Sequence, residues 1–430
     1  MTISGRAVVL AALGLVPAVI WPGWGSVLAW AGVFVAVVLA DLLLAGSPRA
    51  LKVHREPVPT IRLGTSTPSP FVVSNHGRRT VRGSLRDAWQ PSAGAVGERH
   101  PVKLPAGQSR RLVTTLTPTR RGDRRAGDLT VRSFGPLGVA ARQYSLTAPG
   151  ALRVLPPFTS RKHLPSKLAQ LRELDGKAAL RVRGQGTEFD SLREYVGGDD
   201  VRSIDWRATA RRGAVVVRTW RPERDRRVLI VLDTSRTSAA RVGDQPRLDA
   251  AMDSALLLAA LASRAGDRVD LLAMDRRVRA RVEGAGRGDL LPRLVTAMAP
   301  VEADLVEADW AAIVSTVLSR MSQRALVVLL TPLEGAAIEE GLMPVIGRLC
   351  ARHRVVVASV ADPQVAAMAE GRGDAYAVYG AAAAGRAALD RAATTAELRR
   401  MGVDVVDASP EDLPPQLADR YLALKAAGLL

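Results

Sequence analysis

The segment with the highest density of reactive groups runs from Glu188 to Gly213 and reads EFDSLREYVGGDDVRSIDWRATARRG. It holds six carboxylates and five arginines around Phe189, Tyr195 and Trp206. Carboxylates this close together could bind a divalent metal ion and serve a hydrolase or nuclease. The guanidinium groups, however, compete for the same oxygens and tend to pair with carboxylates in bidentate geometry. The balance of charges favours mutual pairing over catalysis.

A second candidate site follows the apolar run RVLIVLDTS and has the pattern D-x-S-x-T at Asp233, Ser235 and Thr237. One carboxylate and two hydroxyls on a single loop can supply hard oxygen ligands to Mg²⁺, with room left for water and for an acidic group of a partner. The alternative is that Asp233 and Ser235 cap the turn from strand to helix through backbone N–H groups. The pattern resembles the metal-ion-dependent adhesion site of von Willebrand factor A domains, which reads D-x-S-x-S.

That resemblance implies two further ligands on later loops, a threonine and an aspartate. In the segment LLTPLEGA the expected aspartate is not present; Thr331 lies at the strand end and Glu334 follows three residues later. The segment EGAGRGDLLPR, where the threonine is expected, contains no hydroxyl. The resemblance therefore implies a degenerate metal site at Asp233, Ser235, Thr237 and Thr331, with Mg²⁺ as its cofactor.

The elements that must position this loop are apolar strands alternating with helices over residues 227–430. The strand runs are RVLIVLDTS, DRVDLLAM, ALVVLLTPLE, RVVVASVADP and VDVVDASPED, separated by Ala- and Leu-rich amphipathic stretches. Continuous apolar runs of this kind suit strands covered on both faces. They predict an α/β doubly wound, mostly parallel sheet, similar to a von Willebrand factor A domain, with its functional edge at the carboxyl ends of the strands.

Upstream, short alternating runs such as PFVVSN, TVRGSL and QSRRLVTTLTP are separated by Gly, Pro and Asn between residues 53 and 155. This spacing predicts a small β-sandwich domain. Residues 156–226 are interpreted as a linker that carries the dense charged segment, which we call the signature (residues 184–213).

The amino terminus predicts a transmembrane helical hairpin over residues 1–46. From Ala7 to Ala40 the chain carries no charged residue, and WPGWG at positions 21–25 divides it into two apolar segments. The second, Val27 to Ala45, has the roughly 20 residues that a bilayer core requires, whereas the first, Val8 to Trp21, is short for a span.

Flanking charges predict the orientation of this hairpin. Arg6 followed by an apolar run imitates a signal peptide, but no small-x-small cleavage site separates the two segments. Arg6 precedes the first segment, and Arg49, Lys52 and Arg55 follow the second. The positive-inside rule then places both termini and the soluble domains in the cytoplasm, with anionic lipid head groups near residues 49–55.

The net charge of +18 is confined to the first half of the chain. Arg49 to Arg226 holds 35 basic against 15 acidic residues, while Arg227 to Leu430 holds 24 against 26. A basic half beside a membrane segment more often faces lipid than nucleic acid, so nucleic-acid binding is not favoured. The single cysteine, Cys350, excludes an internal disulfide and fits a buried thiol.

The signature, GQGTEFDSLREYVGGDDVRSIDWRATARRG, followed by LDTS, is similar to that of a bacterial family called domain of unknown function 58. The hairpin, the β region ending in RRGDRRAGDLTVRSFGPLGVAAR (Arg120 to Arg142) and the A-like domain agree with that family's layout. The resemblance implies a membrane-anchored protein with no established activity, often encoded beside an AAA+ ATPase of the MoxR type.

We therefore expect a non-enzymatic interaction or adaptor protein that works with such an ATPase in chaperone-like assembly or cell-envelope processes. The alternatives are a metal-dependent hydrolase or nuclease built from the signature carboxylates, and a nucleic-acid binder acting through the basic half.

Local patterns suggest how the signature folds. Ser191 and Glu194 have the S-x-x-E spacing of a capping box, which predicts a short helix ended by Gly197 and Gly198. The run AVVVRTW then predicts a strand in a hairpin with RVLIVLD. We interpret the signature first as a charge network between the two domains and second as a surface for partner docking. The residues assigned to it are Glu188, Phe189, Arg193, Glu194, Tyr195, Asp199, Asp200, Arg202, Asp205, Trp206, Arg207 and Arg211.

Overall fold

The chain divides into two compact units, Met1–Pro157 and Phe158–Leu430. The computed structural model describes the backbone of residues 2–181, 188–221, 226–286 and 288–430, and the side chains of these residues except 175, 177–181, 188–191 and 219–221. Each unit is described by itself.

The first unit begins with three apolar helices, α1 (Gly5–Leu13), α2 (Leu15–Ile20) and α3 (Trp24–Leu44). Helix α3 has 21 residues, which at 1.5 Å each extend about 31 Å and match a hydrocarbon core. Both shorter helices contact α3, and the indole N–H of Trp30 donates to the carbonyl of Leu10 (3.3 Å). One helix in the described part of the chain is therefore long and apolar enough to cross a membrane.

The rest of the first unit is built from strands. They are β1 (Thr2–Ile3), β2 (Leu51–Arg55), β3 (Ile61–Arg62), β4 (Thr67–Asn75), β5 (Val81–Trp89), β6 (Ala95–Val96), β7 (Arg99–Leu104), β8 (Ser109–Leu116), β9 (Gly122–Phe134), β10 (Ala140–Leu146) and β11 (Ala151–Leu155). One sheet has the order β2-β4-β8-β6; in the other, β1-β10-β9-β11-β3 run side by side and β5 joins β9 to β7. The described pairs are antiparallel except β11 with β3.

The two sheets of this unit bury two apolar clusters, of which the larger joins both sheets. Phe71 and Val73 of β4 share a cluster with Leu85 of β5 and Val131 of β9, all fully or almost fully buried. Burial of such side chains contributes about 1.5–3 kcal/mol each relative to exposure. The runs PFVVSN, TVRGSL and QSRRLVTTLTP all lie in strands of this core, as their alternation predicts.

The second unit mixes helices and strands. Its helices are α4 (Leu164–Arg181), α5 (Trp206–Arg212), α6 (Arg236–Ala239), α7 (Arg247–Arg264), α8 (Leu290–Met298), α9 (Trp310–Arg320), α10 (Met343–Cys350), α11 (Pro363–Met368), α12 (Ala375–Arg400) and α13 (Leu413–Ala426). Its strands are β12 (Glu188–Glu194), β13 (Val216–Arg221), β14 (Arg227–Asp233), β15 (Arg241–Val242), β16 (Gln245–Pro246), β17 (Arg268–Met274), β18 (Val278–Val282), β19 (Leu326–Leu330), β20 (Arg354–Val360) and β21 (Asp404–Ala408).

Six of these strands form the main sheet, in the order β18-β17-β14-β19-β20-β21. Five run parallel, and β18 lies antiparallel to β17 at one edge. The five apolar runs in the sequence are the five parallel strands. Strand β18, VRARV, is not among the predicted strands, although its valines and alanine alternate with arginines.

The structure corrects two local predictions in the signature. The residues expected to start a helix at Ser191 form β12, which pairs antiparallel with β13. The N–H of Tyr195 continues that pairing by donating to the carbonyl of Val215 (2.8 Å). Strand β13 therefore forms a hairpin with β12 and not with β14, whose neighbours are β17 and β19. Strand pairing therefore prevails over the local capping signal. Residues 156–226, which we interpreted as a linker, contain α4, β12, α5 and β13.

Candidate functional site

A cleft opens at the carboxyl edge of the main sheet. Asp233 ends β14, and Thr331 follows the end of the neighbouring parallel strand β19. The chain leaves β14 for β17 on one side and returns to β19 on the other, so the two residues flank the point where strand order reverses. Ligands of open α/β sheets bind at this kind of position.

Four of the predicted site residues meet there through hydrogen bonds. Thr331 Oγ1 donates to Asp233 Oδ2 (2.7 Å), and Thr237 Oγ1 lies 3.3 Å from the same oxygen. The Ser235 N–H donates to Asp233 Oδ1 (2.8 Å), and the hydroxyls of Ser235 and Thr237 are 3.1 Å apart. The turn-capping role and the gathering of oxygen ligands therefore occur together at Asp233.

Burial controls the electrostatics of this carboxylate. Asp233 is 2% exposed, and desolvation raises the pKa of its carboxyl, while hydrogen bonds from Ser235, Thr331 and Thr237 act in the opposite direction. No basic side chain is paired with it in the described structure. A buried carboxylate with only neutral donors around it is the kind of group that a divalent cation would stabilise in its charged form.

The remaining walls of the cleft are polar on one side and aromatic on the other. The cleft has a volume of about 240 Å³ and is lined by Arg236, Glu307, Trp310 and Glu340 in addition to the four residues above. Arg236 and Glu307 form an exposed ion pair. Glu334, the acid nearest to Thr331 in sequence, pairs with Arg247 instead and does not line the cleft.

Glu340 reaches the cleft from a π-helical turn, Ala337–Leu342. Its carboxylate is exposed and has no hydrogen-bond or ion-pair partner among the described residues. The neighbouring Gly341 lies against the ring of Trp310, where an added Cβ would sit 2.7 Å from Cδ1. Glu340 is not among the site residues predicted from the sequence, although the pair of adjacent glutamates in AIEEGL indicates an acidic group at this position.

A second buried aspartate supports the adjacent loops and was also missed. Asp275, after β17, accepts hydrogen bonds from Thr234 Oγ1 (2.8 Å), from Arg279 Nε (2.6 Å) and from the N–H groups of Arg276 and Arg277. Burial raises the pKa of this carboxyl, but the hydrogen bonds outweigh burial and hold the pKa below its usual range. This network fixes Thr234, the residue between Asp233 and Ser235.

The oxygen donors at Asp233 fit a hard cation, since one carboxylate and three hydroxyls converge on one point. The described residues contain no group of three or more His, Cys, Asp or Glu side chains placed to hold a metal. Any cation at this site would therefore depend on hydroxyls and on a single buried carboxylate, as the D-x-S-x-T pattern suggests.

Three of the signature carboxylates, Asp199, Asp200 and Asp205, are held by backbone groups and two arginines. Asp199 accepts hydrogen bonds from Arg193 Nη2 (2.5 Å) and from the Val196 N–H (3.0 Å). The hydrogen bond with Asp199 raises the pKa of the Arg193 guanidinium. Asp200 accepts from the Arg202 N–H (3.0 Å). These carboxylates are thus arranged one by one along the chain and do not converge on a shared cation position.

Asp205 caps helix α5. It accepts from the N–H groups of Arg207 and Ala208 (both 3.0 Å) and from Arg218 Nε (2.8 Å). The Ala208 hydrogen bond, followed by that of Arg218, lowers the pKa of its carboxyl. The side chains of Glu188 and Phe189 lie outside the described residues, as do residues 184–187 entirely.

The other signature side chains face solvent. Glu194, Tyr195, Arg202, Trp206 and Arg207 are exposed, as is Arg211. Within the predicted network, the structure thus engages Asp199, Asp200 and Asp205, with Arg193 paired to Asp199, and leaves these other side chains exposed.

Comparison with known proteins identifies a family model, "Protein of unknown function DUF58", that matches residues 191–401. A search of curated proteins gave no match. Among solved structures, the VWA domain of SpRpn10 is 15% identical and covers 45% of this chain and 94% of its own, with a TM-score of 0.27.

Two further solved domains are each similar to about a quarter of the chain. The CARDB domain of PF1109 from Pyrococcus furiosus is 18% identical over 26% of this chain and 89% of its own (TM-score 0.19). The PapD-like domain 7 of human CEP192 is 14% identical over 24% and 84% (TM-score 0.17). Scores at this level say nothing about what this chain binds.

Proposed function

Since residues 191–401 make this chain a member of the DUF58 family of unknown function, we propose that it is a membrane-anchored, non-enzymatic interaction protein. Its cleft at Asp233 binds an acidic group of a partner through Mg²⁺. The observation that carries this proposal is the meeting of Asp233, Ser235, Thr237 and Thr331 at one open edge of the sheet.

In this proposal Asp233, Ser235, Thr237 and Thr331 hold the cation, which supplies a positive charge to a carboxylate of the partner. Burial of Asp233 prepares the site, because the cation relieves the cost of a charged carboxylate in a dry environment. Glu340 stands at the mouth of the same cleft and adds a negative charge beside the position of the cation.

The proposal includes a doubly wound, von Willebrand factor A-like fold for the second unit. Two features support it. Leu229 and Val231 of β14 pack in a cluster with α9 and α10, whereas helix α7, buried over most of its length, also contacts β14 but is not part of that cluster. Successive side chains of a strand point to opposite faces. Helices α9 and α10 on one face of the sheet and α7 on the other would be consistent with these contacts.

We also propose two membrane spans with both ends of the hairpin in the cytoplasm. The loop of residues 135–140 supports this arrangement, because both ends of the hairpin contact it. Ser4 Oγ donates to the Gly138 carbonyl (2.6 Å) before α1, and Asp41, near the end of α3, accepts from the Val139 N–H (2.8 Å). Arg49 and Lys52 are exposed and available to anionic lipid head groups. Arg55 is buried against Asp87 and is not available.

The partner proposed is a MoxR-type AAA+ ATPase, with a role in chaperone-like assembly or cell-envelope processes. The test is co-purification of the detergent-solubilised full-length protein with that ATPase from cells that express both, in Mg²⁺ and in EDTA. Recovery of the ATPase should require Mg²⁺ and should be lost in Asp233→Ala. The matched control is Asp244→Ala, which removes an exposed carboxylate outside the cleft. Equal recovery with wild type and Asp233→Ala would exclude the cleft, and no recovery with any form would exclude the partnership.

The geometry of the signature argues against the alternative of a hydrolase or nuclease. Asp199, Asp200 and Asp205 already accept hydrogen bonds from backbone N–H groups of their own segment. Such carboxylates serve as turn and helix caps.

A further inference from the structure

The segment of residues 195–213, which lies between β12 and β13 and contains α5, has arginines that are not paired with any residue the structure describes. We call it the α5 segment. It holds four arginines, Arg202, Arg207, Arg211 and Arg212, all exposed. None of these guanidinium groups has a hydrogen bond, ion pair or ring contact among the described residues. The three carboxylates of the segment are engaged elsewhere, by backbone N–H groups and by Arg193 and Arg218.

Helix stability accounts for only two of these charges. Arg211 and Arg212 lie in the last turn of α5, where positive charge suits the helix dipole. Arg207 lies in the first turn, where positive charge is unfavourable, and no acidic residue is present in that turn. Arg207 and Arg211 also stand four residues apart on the helix, a spacing at which like charges repel. Asp205 caps the helix next to Arg207, but the repulsion between Arg207 and Arg211 remains, and a negatively charged partner would relieve it.

Large apolar side chains are interleaved with these arginines. Trp206 is 69% exposed, and Val196 and Val201 are exposed to a similar extent. Trp and Arg are the residues most enriched among the dominant contacts of protein interfaces. Nucleic-acid grooves also place flat aromatic rings beside basic residues, and Trp206 and Tyr195 offer such rings. The exposed aliphatic side chains of Val196 and Val201 add surface that bases cannot stack on, and this favours an apolar anchor on a protein.

We propose that the α5 segment is a docking surface for an acidic protein segment with an apolar anchor, in which Trp206 receives the anchor and Arg207 and Arg211 bind the flanking carboxylates. This inference rests on the proposed function as an interaction protein, but it concerns a surface that does not include the Asp233 cleft. A complex could therefore use one surface and not the other.

The test is fluorescence anisotropy with the full-length protein in phosphatidylcholine nanodiscs, which are free of detergent and leave added vesicles intact. The probe is a fluorescein-labelled glutamate-rich peptide with a central leucine-tryptophan-leucine core. A peptide of the same charge with a serine core, an oligothymidylate of similar charge and vesicles of phosphatidylcholine with phosphatidylglycerol serve as competitors. We expect the apolar-core peptide to bind about tenfold more tightly than the serine-core peptide.

Matched variants decide whether the binding is local. Trp206→Ala should weaken binding of the apolar-core peptide by about tenfold and have little effect on the serine-core peptide. Arg207→Ala/Arg211→Ala should weaken both and reduce the dependence on salt. The control is Arg348→Ala/Arg352→Ala, which removes two exposed arginines with the same spacing at the end of α10. Tyr376→Ala removes an exposed aromatic ring on α12 in the same way.

Three results would overturn the proposal. The control pair could weaken binding as much as Arg207→Ala/Arg211→Ala, which would mean attraction to net charge alone. The oligothymidylate or the vesicles could displace the peptide completely at equal charge, which would assign the surface to nucleic acid or lipid. Unchanged binding in Trp206→Ala, with the ATPase still recovered through the cleft, would reject this inference and leave the proposed function intact.

Discussion

Asp41, the carboxylate near the end of α3, should be the residue on which attachment of the membrane helix to the β unit depends most. Its Oδ1 accepts the Leu137 N–H (2.8 Å), and its Oδ2 accepts those of Val139 (2.8 Å) and Ala140 (3.0 Å). The side chain is fully buried. Asp41→Ala leaves two buried N–H groups and one partly buried N–H group without an acceptor. Each costs about 1–3 kcal/mol, so local opening of the loop should become about 3–5 kcal/mol easier once water enters.

Hydrogen exchange of the full-length protein in detergent measures this directly. The amides of Val139 and Ala140 should exchange at least about 100-fold faster in Asp41→Ala than in wild type, since 2.7 kcal/mol corresponds to two decades. Asp41→Asn should be intermediate, because one oxygen remains an acceptor while the new NH₂ faces a donor. The control Ser26→Ala removes an exposed hydroxyl of the same helix. If Asp41→Ala exchanges no faster than Ser26→Ala, the carboxylate does not hold this loop.

Three further outcomes follow from buried charges. Asp87→Ala should lower the free energy of unfolding by about 3–5 kcal/mol, because it leaves Arg55 buried without its partner; urea denaturation should show this, and Arg55→Met/Asp87→Leu should recover most of the loss. Asp233→Asn should abolish the rise in Tm caused by Mg²⁺ and raise the Tm in EDTA. Burial raises the pKa of Asp233 in the folded state, so ionisation at neutral pH opposes folding, and a lower Tm in EDTA would contradict this sign. Asp275 has a lowered pKa, so its stabilisation is present above the unfolded pKa, near 4, and is lost as pH falls through the folded value. Asp275→Asn should therefore be less stable than wild type at pH 7 and converge with it in acid, as differential scanning fluorimetry would show.

The strands of the second unit could be predicted because their apolar runs are long and uninterrupted. In RVLIVLD, every residue after Arg227 is buried, so the uninterrupted apolar run itself predicts the burial. The meeting of Asp233 with Thr331 followed from the same pattern, since the ends of adjacent parallel strands share one edge.

The contacts that could not be predicted depend on residues distant in sequence. Ser191 and Glu194 carry a helix-capping pattern, yet pairing with Val216 to Arg221 places them in a strand. No residue near Asp41 in the sequence indicates its hydrogen-bond donors, which follow about a hundred residues later. Glu340 enters the cleft because of a π-helical turn, and single-sequence periodicity does not distinguish such a turn from an α-helix.

The number of residues in that π-helical turn also determines whether Glu340 faces the cleft. A π-helical turn contains one residue more than the α-helix it interrupts, so Ala337–Leu342 behaves as a one-residue insertion next to α10. Deleting a residue within it would restore α-helical hydrogen bonding and rotate the side chains on one side of the deletion by about 100°. Relatives of this chain with a helix shorter by one residue at this point would keep the D-x-S-x-T loop but would carry the acid of Glu340 on another face. A gap in an alignment would then mark a change in the charge of the cleft that substitutions alone would not reveal.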